Sequence, residues 1–269
     1  MLFNDKTPII AIATAPGRGG IGVIRLSFEA DLADPILAAL FPQRSIEPRR
    51  VQLLPFLDEN NALHSFDHAD GSYHLMGCML SAASCNKWWS EEILKTKDFA
   101  AEQAPIQKLG ENQVFFLPYL MGERSPHNDP DARGVFFGMS MDTTRADMTQ
   151  AVLEGVAFGL RDSLEVARSL GIHIERTKIC GGGAKSPLWK KIIANVMNLK
   201  VDVPEKGPSM GGAMLAAVGC GEYPDVETIC NKLVRVVDTV EPEPELVAKY
   251  EEKYRKFRKL YPAMKELFR

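Results

Sequence analysis

The sequence predicts an α/β fold, and three observations support this prediction. Apolar runs of strand length alternate with segments that carry apolar residues at helical spacing, as expected for layered strands and helices. One apolar run, ending at Cys180, leads through Gly181, Gly182 and Gly183 directly into a helix start. The chain has 269 residues, of which 45% are hydrophobic, so it can bury a large core.

The first sixty residues are predicted to form a short β-rich fragment. Its predicted elements are strands at 8–15 and 22–27, around a glycine turn, and a helix at 34–40. The polar segment LDENNA at 57–62 then separates two differently patterned regions. We therefore predict a fragment at 1–61 and a second domain at 62–269.

The middle of the chain is predicted to contain one buried strand, one surface loop and one long helix. The apolar segment 73–89 should be helical in its later part, 95–110 a polar helix or loop, 114–120 a strand, and 121–133 a loop rich in Pro, Asn, Asp and Gly. Thr144 and Asp147 have the spacing of a capping box at the start of a long helix. Gly171 is suited to end that helix.

The glycine segment is the strongest candidate for a binding site. Glycines have no Cβ, so the chain can turn sharply and expose backbone N–H groups. Ser186 suits an N-cap and Pro187 the first helical position, so a nucleotide phosphate or ribose could face the positive end of the helix. A tight turn without a ligand is the alternative, because the spacing matches neither the Walker A pattern nor the dinucleotide fingerprint.

The remaining elements continue the alternation of helix and strand. They are a helix at 188–199, a strand at 200–203, a helix of small residues at 209–219 and an amphipathic helix at 245–260. The formal charge of -3 gives no basic surplus for nucleic acid or an anionic membrane. No apolar run approaches membrane-spanning length and no leader pattern follows Met1, so we expect a cytoplasmic chain. The five cysteines form no Cys-x-x-Cys pair and are expected as reduced thiols.

Residues 134–154 resemble the second signature of the FGGY carbohydrate kinases. They read GVFFGM, seven further residues, DM, two further residues and AVLE. The segments His64–Trp89 and Phe115–Met139 and the run GGGAKSPLW are similar to the xylulokinase branch of that family. The resemblance implies an actin-like, ribonuclease-H-like ATPase fold, in which two domains close around ATP, Mg²⁺ and the sugar D-xylulose.

The same resemblance assigns a role to the glycine segment. The adenosine-binding loop of the family falls on Gly181, Gly182, Gly183 and Ala184, with Ser186 just after it. The family reaction transfers the γ-phosphoryl group of ATP to a sugar hydroxyl, which requires a carboxylate to accept the hydroxyl proton. A phosphate-binding turn and the family's adenosine loop thus coincide, and ATP or ADP is the expected ligand.

The resemblance also predicts that the chain alone is inactive. In these kinases the catalytic aspartate, the sugar pocket and a Gly-Thr-Ser phosphate turn lie upstream of the segment that begins at His64. We expect the available aspartates, Asp67, Asp70, Asp129 and Asp142, to be turn or cap residues, and His127 lacks a positioned partner for base catalysis. An incomplete actin-like domain would leave a sheet edge uncovered, so self-association is expected.

The N-terminal run Thr7–Ser27 contains Gly17-x-Gly19-x-x-Gly22, but a strand pattern follows instead of a helix, which argues against dinucleotide binding. The run resembles the N-terminus of the tRNA-modification GTPases known as MnmE or TrmE, and their folate-contacting arginine matches Arg25. The sequence therefore looks like a fusion. The alternatives to a kinase half are a non-catalytic interaction domain and a folate-binding tRNA-modification accessory.

Overall fold

The computed structural model describes the backbone of residues 9–14, 22–27, 63–67 and 73–269, and the side chains of residues 63 and 74–269. The strands are β1 Ile9–Thr14, β2 Gly22–Ser27, β3 Leu63–Asp67, β4 Tyr73–Met79, β5 Phe115–Leu117, β6 Val135–Phe137, β7 Arg176–Ile179, β8 Lys200–Pro204 and β9 Val236–Val240. The helix predicted at 34–40 and the polar segment 57–62 lie outside the described residues.

Helices follow most of these strands, as an α/β fold requires. They are α1 Ala82–Trp88, α2 Phe99–Gln103, α3 Arg145–Ser169, α4 Pro187–Met197, α5 Pro208–Gly219, α6 Val226–Leu233, α7 Pro244–Phe257 and α8 Leu260–Met264. A π-helical turn, Trp89–Ile93, extends α1, and short 3₁₀ turns occupy Gly182–Lys185 and Lys265–Phe268. Within the described residues, no helix is both long enough and apolar enough to cross a membrane.

Seven of the strands form one sheet, in the order β3-β4-β2-β1-β7-β8-β9. Strand β1 is parallel to β7, and β7 is parallel to β8. Strand β2 is antiparallel to both β1 and β4, so β1, β4, β7 and β8 all run in the same direction. Their carboxyl ends therefore meet at one edge of the sheet.

The two N-terminal strands lie inside this sheet. Ile10 of β1 pairs with Thr177 of β7, and Ile12 pairs with Ile179. Strand β7 therefore has a neighbour on each side, and β3 and β9 are the outermost strands. The boundary at residues 61 and 62 and the expected self-association through a sheet edge stay predictions.

The long helix α3 begins and ends as predicted. The Thr144 hydroxyl accepts a hydrogen bond from the Asp147 N–H at 3.2 Å, and the Asp147 carboxylate accepts one from the Thr144 N–H at 2.9 Å, so the capping box is confirmed. Gly171, with φ +82°, follows the helix directly. A Cβ on Gly155 would lie 2.2 Å from the Phe116 carbonyl, so glycine lets α3 pack directly against β5.

The predicted strand at 114–120 is only three residues long, Phe115–Leu117. It ends before Pro118, which has no N–H to donate to a ladder. The C-terminal amphipathic helix is confirmed as α7, whose Tyr250, Tyr254 and Phe257 pack around Phe158 of α3. All five cysteines are free thiols; two are buried, two are half-buried, and Cys220 is exposed.

Candidate nucleotide-binding site

The candidate site lies at the carboxyl edge of the sheet. Strand β4 leads into α1, β7 into the glycine loop and α4, and β8 into α5. Because these three strands are parallel, all three strand-to-helix junctions lie along the same edge. This edge is where ligands bind in open α/β sheets, outside the carboxyl ends of the strands.

The glycine loop follows β7 without an intervening turn. Gly181 has φ +88°, a backbone conformation that a residue with a Cβ rarely adopts. A 3₁₀ turn over Gly182–Lys185 then brings the chain to Ser186. The Ser186 hydroxyl accepts a hydrogen bond from the Trp189 N–H at 3.0 Å, and Pro187 takes the first helical position. The predicted N-cap and helix start are therefore confirmed.

A tryptophan forms the floor of this loop. Trp189 is only 3% exposed, and its indole N–H donates a hydrogen bond to the Leu153 carbonyl at 3.0 Å. A Cβ on Gly183 would lie 3.1 Å from Cζ3 and 3.2 Å from Cε3 of this ring. A Cβ on Gly182 would meet nothing within 4 Å. Gly183 thus rests on the ring, whereas Gly182 lies on the open side of the loop.

The start of α4 is also tied to a distant part of the chain. The Ser186 hydroxyl donates a hydrogen bond to Oε1 of Gln103, the last residue of α2, at 2.6 Å. The neighbouring Glu102 forms an ion pair with Arg145, at the start of α3, with its carboxylate oxygens 2.6 and 2.8 Å from the guanidinium. Helix α2 therefore connects the glycine loop to the first turn of α3.

The described residues offer no metal centre of their own. Among them, no group of three or more His, Cys, Asp or Glu side chains could hold a metal ion. The loop at 181–186 contributes three glycines, an alanine, a lysine and a serine, which suit a phosphate or a nucleoside better than a bare cation. Mg²⁺ therefore stays an expectation from the family resemblance.

His127 has a structural environment. Its ring stacks on Tyr261 with centroids 3.7 Å apart, and Nε2 is hydrogen-bonded to the Tyr119 hydroxyl at 3.0 Å. Burial lowers the pKa of His127 to about 4. Asp129 accepts a hydrogen bond from the Tyr261 hydroxyl at 2.7 Å. These contacts hold the loop before β6 against α8, as expected for residues without a catalytic role.

Of the other candidate carboxylates, Asp142 is the one whose side chain the structure describes. Asp142 is exposed, and its N–H is hydrogen-bonded to the Ser140 hydroxyl at 3.3 Å in a local turn. Asp67 ends β3, with its side chain outside the described part of the chain, and Asp70 lies outside it altogether. The structure therefore assigns none of them to the site.

Sequence analysis missed several buried carboxyl groups, among them those of Glu123, Glu154 and Asp162. Glu123 lies in the loop at 121–133. Glu123 is 1% exposed, and its Oε1 accepts a hydrogen bond from the Arg124 N–H at 2.8 Å. Among the described residues, Oε2 has no hydrogen-bond partner. Burial raises the pKa of Glu123 to about 8. Its position in a loop rich in turn residues gave no sign of burial, because one donor to its carboxylate, the Leu80 N–H at 3.4 Å, lies 43 positions away in sequence.

The fold is that of the actin-like, ribonuclease-H-like class. Residues 54–220 match the C-terminal domain of the FGGY family of carbohydrate kinases. The chain belongs to this family, and the predicted fold class is confirmed.

Individual relatives agree with this assignment. The chain is 35% identical over 210 residues to the xylulose kinase of Staphylococcus epidermidis, an alignment that covers 76% of this chain and 42% of the relative. It is also 35% identical over 207 residues to the xylulose kinase of Escherichia coli. That alignment covers 75% of this chain and 42% of the relative. The chain thus spans less than half the length of the curated relatives it matches.

A solved structure shows the same architecture over nearly the whole chain. The crystal structure of a xyloylose kinase from Brucella ovis superimposes with a TM-score of 0.76 at 32% identity, covering 97% of this chain and 48% of that one. These comparisons give no support to the resemblance of the first sixty residues to the MnmE or TrmE family. Arg25 lies in β2, opposite Ala11 and Met76, and its side chain is outside the described residues.

Proposed function

We propose that this chain is the nucleotide-binding half of a xylulokinase-like sugar kinase. ATP or ADP binds at Gly181, Gly182, Gly183, Ala184 and Ser186. The observation that carries the proposal is the continuous path from β7 through three glycines into the capped start of α4, with Trp189 as its floor. Backbone N–H groups and the positive end of a helix favour a phosphate or another electronegative group at this point.

The residues of the loop have different roles in binding a nucleotide. The glycines let the ligand approach the backbone closely, and the open side of Gly182 leaves room for it. Ser186 fixes the direction of α4 through its bond to the Trp189 N–H. The first turn of α4 contains no acidic residue that would repel phosphate. Bound ATP supplies the γ-phosphoryl group, which is transferred to a hydroxyl of D-xylulose to give xylulose 5-phosphate.

Phosphoryl transfer requires a catalytic base, and no described residue of this chain is assigned to that role. A carboxylate must accept the proton of the sugar hydroxyl, and no hydrogen bond joins a described aspartate side chain to the loop at 181–186. We therefore propose that the chain alone is inactive and that a second kinase domain supplies the base and the sugar pocket. The relatives, of which this chain covers 42%, are long enough to contain such a domain.

Helix α5 offers a surface for that second domain. It consists largely of small and apolar residues, yet Met214 is its single buried residue and Leu215 is 60% exposed. An exposed apolar helix face of this kind favours contact with another protein surface. Substitution of Leu215 by Asp is therefore expected to weaken assembly with a second kinase domain without affecting nucleotide binding.

The other functions suggested by the sequence have less support. A non-catalytic nucleotide-binding domain would use the same loop and differ only in the absence of turnover after a second domain is added. A folate-binding accessory rests on the N-terminal resemblance alone. Because an ATP-dependent sugar kinase works where ATP is available, we propose a cytoplasmic location.

ATP consumption tests the proposed inactivity directly. The purified 269-residue chain is incubated with ATP, Mg²⁺ and D-xylulose, and ADP release is measured with and without the sugar. We expect no sugar-dependent ADP release from the chain alone. Clear D-xylulose-dependent turnover would show that the chain contains its own base and sugar pocket, and the half-enzyme proposal would then be wrong.

A further inference from the structure

Lys185 is the charged residue of the glycine loop. It is exposed and ends the 3₁₀ turn, directly before the N-cap of α4. Two other lysines follow closely in α4, but Lys190 forms an ion pair with Asp238, and Lys191 forms one with Glu243. Within the part of the chain that the structure describes, Lys185 has no such carboxylate partner. Its ammonium group is therefore available to a ligand.

The geometry of the turn places Lys185 on the open side of the loop. A 3₁₀ helix has three residues per turn, so residues three positions apart lie on the same face. Lys185 follows Gly182 by three positions, and both are exposed, whereas Gly183 and Ala184 between them are half-buried. A Cβ on Gly182 would meet nothing within 4 Å. The Lys185 side chain thus leaves the loop on the side where a ligand has room.

The charges around this position favour an anion. Neither the 3₁₀ turn nor the first turn of α4 contains an acidic residue. The start of α4 carries the partial positive charge of a helix N-terminus, and the Lys185 ammonium adds a full positive charge beside it. Lysine commonly binds phosphate as a compact point charge with three N–H donors. A phosphate group at this point would therefore be attracted by both positive charges.

We propose that Lys185 binds the phosphate groups of the nucleotide through an ion pair between its Nζ ammonium and phosphate oxygens. This inference rests on the proposed nucleotide site, to which it adds a cationic residue and a preference for a charged ligand. Backbone N–H groups can donate to a ribose, a base or a phosphate alike, but an uncharged nucleoside offers the ammonium no opposite charge. Lys185 is thus a specificity-determining residue that favours ADP over adenosine.

Binding of ADP and of adenosine to the full chain tests this assignment, by calorimetry for ADP and by ligand-observed nuclear magnetic resonance for adenosine. Lys185→Met removes the charge and keeps a long side chain. It should weaken ADP binding roughly 3- to 10-fold, because the lost ion pair is exposed to water. Adenosine binding should stay unchanged. Lys185→Arg, which keeps the positive charge, should retain most of the affinity for ADP.

The matched control is a lysine at the opposite edge of the sheet. Lys200 is the first residue of β8 and forms an exposed ion pair with Glu241. Lys200→Met makes the same change in net charge and should bind ADP like the wild type. Ionic strength gives a second measurement. Raising it from about 0.05 to about 0.3 M should weaken ADP binding by the wild type more than by Lys185→Met, because salt screens an exposed ion pair.

The possible results separate the residue from the site. If the wild type does not bind ADP, the proposed nucleotide site itself is wrong. If the wild type and Lys185→Met bind ADP with equal affinity, the site stands and only the role of Lys185 is wrong. An equal loss of affinity for ADP and for adenosine would also overturn that role, because the substitution would then have disturbed the loop instead of removing a phosphate contact.

Discussion

Gly183 and Trp189 are in such close contact that a side chain at position 183 would crowd the indole ring. A Cβ on Gly183 would lie 3.1 Å from Cζ3 of the buried indole, whose N–H is anchored on the Leu153 carbonyl. The ring would have to give by a few tenths of an ångström, and its hydrogen bond to Leu153 opposes that movement. The neighbouring Gly182 has nothing within 4 Å of the same added atom.

This contrast predicts that two alanine substitutions in the loop differ in their effect on the free energy of unfolding. Gly183→Ala should lower the free energy of unfolding by about 1–3 kcal/mol, because the added methyl group overpacks the ring. Gly182→Ala should change it by less than about 0.5 kcal/mol. Urea unfolding measured by tryptophan fluorescence checks both values. Equal losses for the two variants would mean that Trp189 is not the floor of the loop.

A buried ion pair joins α3 to α7, and its disruption should be costly. The Lys253 ammonium lies 2.5 Å from Oε2 of Glu154, whose Oε1 accepts a hydrogen bond from the Tyr250 hydroxyl at 3.0 Å. Lys253→Met leaves the Glu154 carboxylate buried without its cation, so we expect a loss of about 3–5 kcal/mol in the free energy of unfolding.

The matched control for this pair lies on the same helix. Lys249 pairs with Glu111 at 2.7 Å, but both side chains are about half exposed. Lys249→Met should therefore change stability far less than Lys253→Met, because water screens the exposed charges. Guanidinium unfolding of both variants measures the difference. Similar losses would show that the Lys253–Glu154 pair is not shielded from water.

The stability of the chain should depend on pH through Glu123. Its pKa, raised by burial to about 8, exceeds the ordinary value of 4.5, so the folded state binds more protons than the unfolded state between those pH values. The free energy of unfolding should therefore fall as the pH rises from 5 to 8, by roughly 1.4 kcal/mol per pH unit for this group. Asp162, with a pKa raised by burial to about 7, should add to the decline.

Substitution by glutamine isolates the contribution of Glu123. Glu123→Gln stays neutral across the range, so the decline between pH 5 and 8 should become shallower, with the slope from Asp162 remaining. Glu92→Gln, which removes an exposed carboxylate, should leave the wild-type slope. Urea midpoints measured at several pH values provide the test. Parallel curves for Glu123→Gln and the wild type would refute the buried, protonated state.

Local signals in the sequence predicted the parts of the structure that depend on neighbouring residues. The N-cap at Ser186 and the capping box at Thr144 are confirmed because a cap is made within three residues along the chain. The fold class could also be predicted, because the alternation of strand and helix patterns and the family signature both extend over long stretches of the sequence. The strand at 114–120 was overestimated because apolar composition alone does not account for the effect of Pro118 on the ladder.

Contacts between distant residues could not be predicted in this way. The Gln103–Ser186 bond joins residues 83 positions apart, and Gln103 lies in a segment whose polar composition indicated only a helix or a loop. The burial of Glu123 depends on contacts from other elements. At Arg25, by contrast, the sequence suggested a contact for which there is no support. A matching residue in a short motif suggested a ligand contact, but the comparisons gave that family no support.

Calorimetric titration of the chain with ADP tests the central claim most directly. We expect measurable heat from binding at the glycine loop and its loss in Gly183→Val, whose larger side chain would displace the loop from Trp189. Glu92→Gln, a substitution of an exposed residue outside the loop, serves as the folded control that should bind ADP like the wild type. Binding of ADP with equal affinity by the wild type and a folded Gly183→Val would contradict the account, since the nucleotide would then bind elsewhere on the chain.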